Sequence, residues 1–123
     1  MTEEQIALAR RSVACKGWRW MDGMCFGEPI GSDVVMRRRV DAYRDAPPVG
    51  AIPFLDDPAT LGCLLALVRE AWGAPYAQVS PIIGNDGGGG CAGWVFYVND
   101  VDDRKFGGCT EAEALVAALE AAP

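Results

Sequence analysis

The sequence of 123 residues contains no histidine. General acid–base catalysis would therefore fall to carboxylates or to cysteine. No pair of carboxylates is placed convincingly for such work, and no cysteine has an obvious activating base beside it. We therefore predict that the protein is not an enzyme and that it uses no cofactor.

Metal-binding spacings are also missing. No two cysteines form a CxxC pair, and no histidine is present to complete a zinc set. We expect reduced thiols of a cytosolic protein, and the alternative is a zinc site built from four cysteines. The five cysteines are Cys15, Cys25, Cys63, Cys91 and Cys109.

Long hydrophobic runs are absent as well. The longest, residues 61–68, is far shorter than the roughly 20 residues that span a bilayer. The N-terminal segment MTEEQIALARR places acidic residues before any apolar run and lacks a small-residue cleavage site. We expect a soluble cytoplasmic protein with no signal peptide and no membrane partner.

Basic residues are scarce in the second half. The net charge is −6, with +1 on residues 1–55 and −7 on residues 56–123. An acidic surface repels phosphate backbones and favours basic partners, so we expect no direct nucleic-acid binding. The candidate acidic surface is assigned to Asp100, Asp102 and Asp103, and the alternative is that the charge serves solubility alone.

Two motifs are incomplete. Residues 84–90, GNDGGGG, lack the GK[ST] continuation into a helix that a phosphate-binding loop requires, so we predict a flexible hairpin tip. Residues 99–103 resemble half a calcium loop. Counted from Asp100 as the first ligand, however, the sixth position is Lys105 and not the glycine that such a loop requires. We predict a solvated turn there and no metal site.

What the sequence does contain is one well-marked helix over residues 57–73. Asp57 suits the N-cap, Pro58 suits the first helical position, and Gly73 suits the left-handed residue that ends a helix. Apolar residues between them recur at three- and four-residue spacing, which predicts one core-facing stripe. That stripe consists of Leu61, Leu64, Leu65, Val68 and Trp72.

The first half begins with a second helix. Thr2 and Gln5 have the form of a capping box, which predicts a helix over residues 3–15. Residues 18–20 and 24–26 flank an Asp-Gly turn and predict a hairpin that a proline then interrupts.

The chain that follows has two weaker signals. Residues 33–43 predict a strand with Arg37 and Arg39 pointing outward, although a helix through the same residues is also compatible. Residues 45–55 carry three prolines and no clean period. They predict a loop, and they are the best candidate for a subdomain boundary.

The second half predicts strands and a last helix. Residues 76–83 read as an edge strand because of Pro81, and residues 94–98 read as a central strand. A short third strand begins at residues 105–106. The TEAE sequence at residues 110–113 is a second capping box, and it opens a final helix.

These elements predict an α+β fold. In the second half, helices at both ends of a small antiparallel sheet pack on one of its faces in two layers, α-β-β-(β)-α, and an N-terminal helix plus hairpin precede them. The length suits one domain rather than two. We predict a single domain over residues 1–123, with possible subdomains at 1–46 and 56–123.

The second half also has a familiar order. The helix DPATLGCLLALVREAWG is followed by a β-hairpin and then by TEAEALVAALEAA. This order resembles the phage ABA sandwich domain, and the opening LARRSVACKGWRWMDGM is similar to the start of small uncharacterised proteins of tailed phages and prophages. The resemblance covers residues 1–26 and 57–123. It implies a phage accessory protein in the host-cell cytoplasm and carries over no catalytic residue.

The densest cluster of aromatic and thioether side chains, called here the aromatic cluster, follows the first helix. It consists of Trp18, Trp20, Met21, Met24 and Phe26. Such side chains beside basic ones can stack on a base or anchor a protein partner, and they can equally complete the core. The three consecutive arginines at residues 37–39 are weak evidence for a nucleic-acid-binding surface in a chain whose net charge is negative. The candidate binding residues are Trp18, Arg19, Trp20, Met24, Arg37 and Arg39.

The resemblance, the small size and the acidic second half together predict a protein that acts by binding a host protein. We expect a counter-defence inhibitor of a host nuclease complex such as a CRISPR effector, present as a monomer or homodimer. One alternative is a small-ligand or nucleotide-binding module that uses the aromatic cluster with the arginines. Another is a minor virion or assembly component.

Overall fold

The computed structural model describes residues 2–30, 33–41, 43–83, 91–97 and 105–123. Over these residues the chain forms three helices and two three-stranded antiparallel sheets, which confirms the predicted α+β class. The chain divides into two compact units, Met1–Cys63 and Leu64–Pro123. The division falls inside a helix and not in the proline-containing segment of residues 45–55.

The first unit contains a helix and one sheet. Helix α1, Glu3–Ala14, begins with the predicted capping box, because the Thr2 hydroxyl accepts from Gln5 N–H at 3.1 Å and the Gln5 side chain accepts in return at 2.8 Å. The strands of the sheet are β1, Cys25–Ile30; β2, Asp33–Arg39; and β3, Ile52–Pro53. Their order is β2-β1-β3, and α1 packs against β3.

The predicted hairpin between residues 18–20 and 24–26 is wrong. The Asp-Gly turn forms, with Gly23 at a φ of +92°, but β1 pairs with β2 instead of with the tryptophan segment. Val40 is the reason, because it accepts from Gly23 N–H at 3.0 Å and donates to the Met24 carbonyl at 2.8 Å. Those bonds use the Gly23 N–H and the Met24 carbonyl, which are then unavailable for pairing with residues 18–20. Residues 33–39 are thus a strand, as predicted, and not a helix.

The predicted loop over residues 45–55 is only partly correct. Residues 51–55 are all buried, and Ile52 and Pro53 pair with β1 as a two-residue strand. A strand this short has no periodicity to read. Burial of an apolar segment, rather than strand propensity, holds it in place.

Helix α2, Pro58–Trp72, has the predicted ends. The Asp57 carboxylate accepts from Thr60 N–H at 3.0 Å, and Gly73 follows the helix at a φ of +60°. The stripe is partly wrong, because Leu65 is only half-buried and Leu67 is fully buried. The buried face consists of Thr60, Leu64, Leu67 and Val68, while Leu61 and Trp72 are half-buried.

The second unit contains three strands and a helix, which are β4, Gln78–Ile83; β5, Cys91–Tyr97; β6, Lys105–Gly108; and α3, Glu111–Glu120. The strands form the other sheet, of order β4-β5-β6. This order confirms the predicted edge and central strands, and α3 packs across the sheet. The capping at Thr110 differs in one bond: its hydroxyl accepts from Glu113 N–H at 3.1 Å, whereas the Glu113 carboxylate accepts from Cys109 N–H at 2.7 Å.

Candidate functional site

A forked ion pair joins Arg39 to Asp57. The two guanidinium nitrogens of Arg39 donate to the two carboxylate oxygens of Asp57, each at 2.9 Å. Asp57 is only 5% exposed, whereas the Arg39 side chain is 56% exposed. The bond from Arg39 lowers the pKa of Asp57 well below its ordinary value, and the backbone N–H of Thr60 lowers it further, although burial opposes both. The same bond raises the pKa of Arg39.

Thr60 connects this ion pair to the sheet. Its hydroxyl donates to Asp57 at 2.9 Å and accepts from the backbone N–H of Cys25 at 2.8 Å. Every one of these groups is buried, so each would carry a desolvation cost if its partner were lost. Thr60 therefore fixes the start of α2 against the first residue of β1.

The other two arginines of the run also have partners inside the first unit. Arg37 donates from Nε to the Cys25 sulfur at 3.1 Å, and its guanidinium carbon lies 4.6 Å from the centre of the Phe54 ring. Arg38 forms an ion pair of 3.1 Å with Asp45. The basic run thus stabilises the first unit, and a nucleic acid would have to compete with these contacts.

The aromatic cluster is an edge-to-face array. The ring centres of Trp18 and Trp20 are 5.3 Å apart at 85°, and those of Trp20 and Phe26 are 6.0 Å apart at 67°. Both tryptophans are half-buried, and Met24 is fully buried. The indole N–H of Trp18 is buried, and it has no hydrogen-bond partner among the residues that the structure describes.

The predicted binding residues are thus arranged in two groups. Arg37 and Arg39 both lie near Asp57, at 3.9 and 2.9 Å, while Trp18 and Trp20 contact each other and Arg19 is exposed. The assignment of a binding role to these residues stays a prediction. The predicted acidic residues, the glycine-rich segment and the incomplete calcium loop lie outside the described residues.

No disulfide forms among the described residues, and the thiols there are those of Cys15, Cys25, Cys63 and Cys109. Burial raises the pKa of the Cys63 thiol, and the nearby Asp57 charge raises it further. A raised pKa leaves less of the reactive thiolate at neutral pH. Within the described ranges, no three or more Cys, Asp or Glu side chains come together as a metal site.

A groove lies beside β1 at the point where β3 begins. β3 pairs with Phe26 and Gly27 of β1, and the chain leads into β3 from a turn at Gly50, whose φ is +89°. Residues 49–51 precede this pairing and are not paired with residues 28–30, and the opening that the two segments form with α1 has a volume of about 540 Å³. We call it the Val49 groove, and its lining residues are Arg10, Val13, Glu28, Pro29, Ile30, Val49, Gly50, Ala51 and Ile52.

Two apolar side chains of this groove are exposed to solvent. Ile30 is 63% exposed, and Val49 is fully exposed at 107%. Sequence reasoning missed both residues. Val49 follows two prolines in a segment without hydrophobic periodicity, and Ile30 follows the proline that interrupts the predicted hairpin. The available signal was an isolated apolar residue between turn formers, in the sequence PPVG.

The comparisons with known proteins add no relatives. The chain matches no protein-family model, no curated protein and no solved structure. The resemblance to phage proteins therefore stays a prediction. In the part of the chain that the structure describes, no helix has the length and apolar character needed to cross a membrane.

Proposed function

We propose that this protein acts by binding a partner protein, and that the partner docks in the Val49 groove. The observation that carries the proposal is the exposure of Ile30 and Val49, at 63% and 107%, along one concave surface. Clustered apolar groups exposed around a cleft are typical of interaction sites, whereas single exposed residues need no explanation. Arg10 and Glu28 supply the polar rim that such interfaces have.

The contacts of the arginine run also support a protein partner over a nucleotide. Arg37 and Arg39 already bind Cys25, Phe54 and Asp57. A phosphate ligand at Arg39 would have to compete with a buried carboxylate that accepts from both terminal nitrogens of the guanidinium at 2.9 Å, and that carboxylate would repel a second anion beside it. Bidentate arginine–carboxylate pairs are among the stronger polar contacts in proteins, so phosphate binding there is unfavourable.

The test compares two exposed apolar residues of the first unit. Val49→Asp places a charge on the groove, and Tyr43→Asp places the same charge on a residue that is 96% exposed and does not line the groove. We expect the wild-type protein and Tyr43→Asp to capture the same partner from a lysate of the source organism. Val49→Asp should weaken the complex by tenfold or more, since burying a valine contributes about 1.5–3 kcal/mol. Equal capture by both variants would contradict the proposed site.

The resemblance to phage proteins makes a host nuclease complex, such as a CRISPR effector, our candidate partner. This part of the proposal rests on the sequence alone. Expression of the wild-type protein in an immune host should raise the plating efficiency of a targeted phage, and Val49→Asp should not. Equal plating with and without the protein would remove the counter-defence role and leave groove binding to be judged by the capture experiment.

A further inference from the structure

The Val49 groove carries two charges of opposite sign. Arg10 is exposed on α1, and Glu28 is half-buried on β1. Among the residues that the structure describes, neither side chain has an ion pair or a hydrogen bond. Apolar walls beside two unpaired opposite charges favour a ligand that presents an apolar group together with an acid and a base.

Pro29 limits the main-chain hydrogen bonds that a ligand can form inside the groove. The Cys25 carbonyl accepts from Phe54 N–H at 2.9 Å, which shows that the polar groups of Cys25 face away from β2. Pro29 is paired with Val34 of β2, and a proline is tolerated inside a strand where its missing N–H would point away from the paired neighbour, so its backbone also faces away from β2, on the side of the groove that it lines. Proline has no N–H to donate, and a run of main-chain hydrogen bonds to an added strand is interrupted there. Side chains must then supply most of the recognition.

We infer that the groove binds an extended segment of a partner protein in which an apolar side chain lies between an acidic and a basic residue. The acidic residue pairs with Arg10, the basic residue pairs with Glu28, and the apolar side chain packs between Ile30 and Val49. The volume of about 540 Å³ lies within the roughly 300–1,000 Å³ of ligand sites. The groove is open to solvent, so the partner chain can continue beyond it. This inference rests on the proposed function and names the chemistry of its partner.

The experiment selects peptides and then exchanges charges. A library of random linear peptides displayed on phage is selected on the full-length immobilised protein, and the dissociation constants of enriched peptides are measured by fluorescence anisotropy. We expect enriched sequences to carry an apolar residue flanked by one acidic and one basic residue. Arg10→Glu should weaken binding by about tenfold, and replacing the acidic residue of the peptide with lysine should restore it. Glu28→Lys should likewise weaken binding by about tenfold, and replacing the basic residue of the peptide with glutamate should restore it.

Each other outcome overturns the inference. Enriched peptides without charged residues, or binding that neither charge reversal changes, would show that Arg10 and Glu28 do not contribute to recognition. No enrichment at all would exclude a short linear segment as the occupant. A wild-type protein that elutes as a dimer, and that Val49→Asp converts to a monomer, would make a second copy the occupant. The proposed function fails separately, when no partner depends on Val49.

Discussion

Asp57 gives the sharpest prediction about stability, because its carboxylate has two separable tasks. It caps α2 through Thr60 N–H, and it forms the forked ion pair with Arg39. Asp57→Asn keeps a side chain that caps helices as well as aspartate does, but it loses the charge. Asp57→Ala loses both. The two variants therefore distinguish the cap from the ion pair at one position.

The magnitudes follow from burial. Charged hydrogen bonds contribute about 1.5–3 kcal/mol, and we reduce this to about 1–2 kcal/mol for Asp57→Asn because the Arg39 side chain is 56% exposed and can be hydrated. Loss of the cap adds about 1 kcal/mol for Asp57→Ala. Urea unfolding followed by tryptophan fluorescence measures both. In an Arg39→Gln background, Asp57→Asn should cost about 1 kcal/mol less than it does in the wild type.

The pH dependence supplies an independent check on the same pair. The pKa of Asp57 is lower in the folded protein than its ordinary value of about 3.9, so the unfolded chain takes up the proton first as the pH falls. The stabilisation from Asp57 is therefore complete above about pH 5, and it is lost progressively as the pH falls below about 4. The difference in unfolding free energy between the wild type and Asp57→Asn should shrink over that range. A constant difference, or additive costs for Asp57→Asn and Arg39→Gln, would refute the reasoning.

Two further predictions test the core and the glycines. Leu64→Ala should cost about 2–5 kcal/mol because Leu64 is fully buried, whereas Leu65→Ala should cost clearly less because Leu65 is half-buried; equal losses in urea unfolding would contradict the assigned face of α2. Gly62→Ala should stabilise the protein by about 0.5–1 kcal/mol, because the glycine lies within α2 with nothing within 4 Å of an added Cβ. Gly27→Ala should lower the melting temperature, because its Cβ would lie 2.6 Å from a side-chain carbon of Val34 and 2.7 Å from one of Phe54. Shifts in melting temperature of the same sign for Gly62→Ala and Gly27→Ala would be inconsistent with this packing.

The sequence predicted what local chemistry determines. The cap bonds of α1 and α2 join residues three positions apart, Thr2 with Gln5 and Asp57 with Thr60, so both helix starts could be predicted from the local sequence. The central and edge strands of the second sheet were also predictable, since β-branched and aromatic composition marks one and Pro81 marks the other. These features need no knowledge of distant contacts.

The rest depended on distant partners. Periodicity identified an apolar stripe on α2 but assigned Leu65 to the core in place of Leu67, because both lie close to Leu64 and Val68 around the helix. Nothing local marked Thr60 as buried, since its burial is stabilised by a bond to Cys25, 35 residues away in the chain. The groove was unpredictable for the same reason, because it arises between segments that are distant in the chain.

The location of the bound peptide tests the central claim most directly. A peptide enriched in the selection is titrated into the ¹⁵N-labelled full-length protein, and amide and indole N–H signals are followed by NMR. We predict that chemical-shift changes are concentrated on the amides of Glu28, Ile30 and residues 50–52, while the indole signals of Trp18 and Trp20 stay in place. Changes centred on the two indoles, with the groove amides unmoved, would contradict the account and identify the aromatic cluster as the binding site.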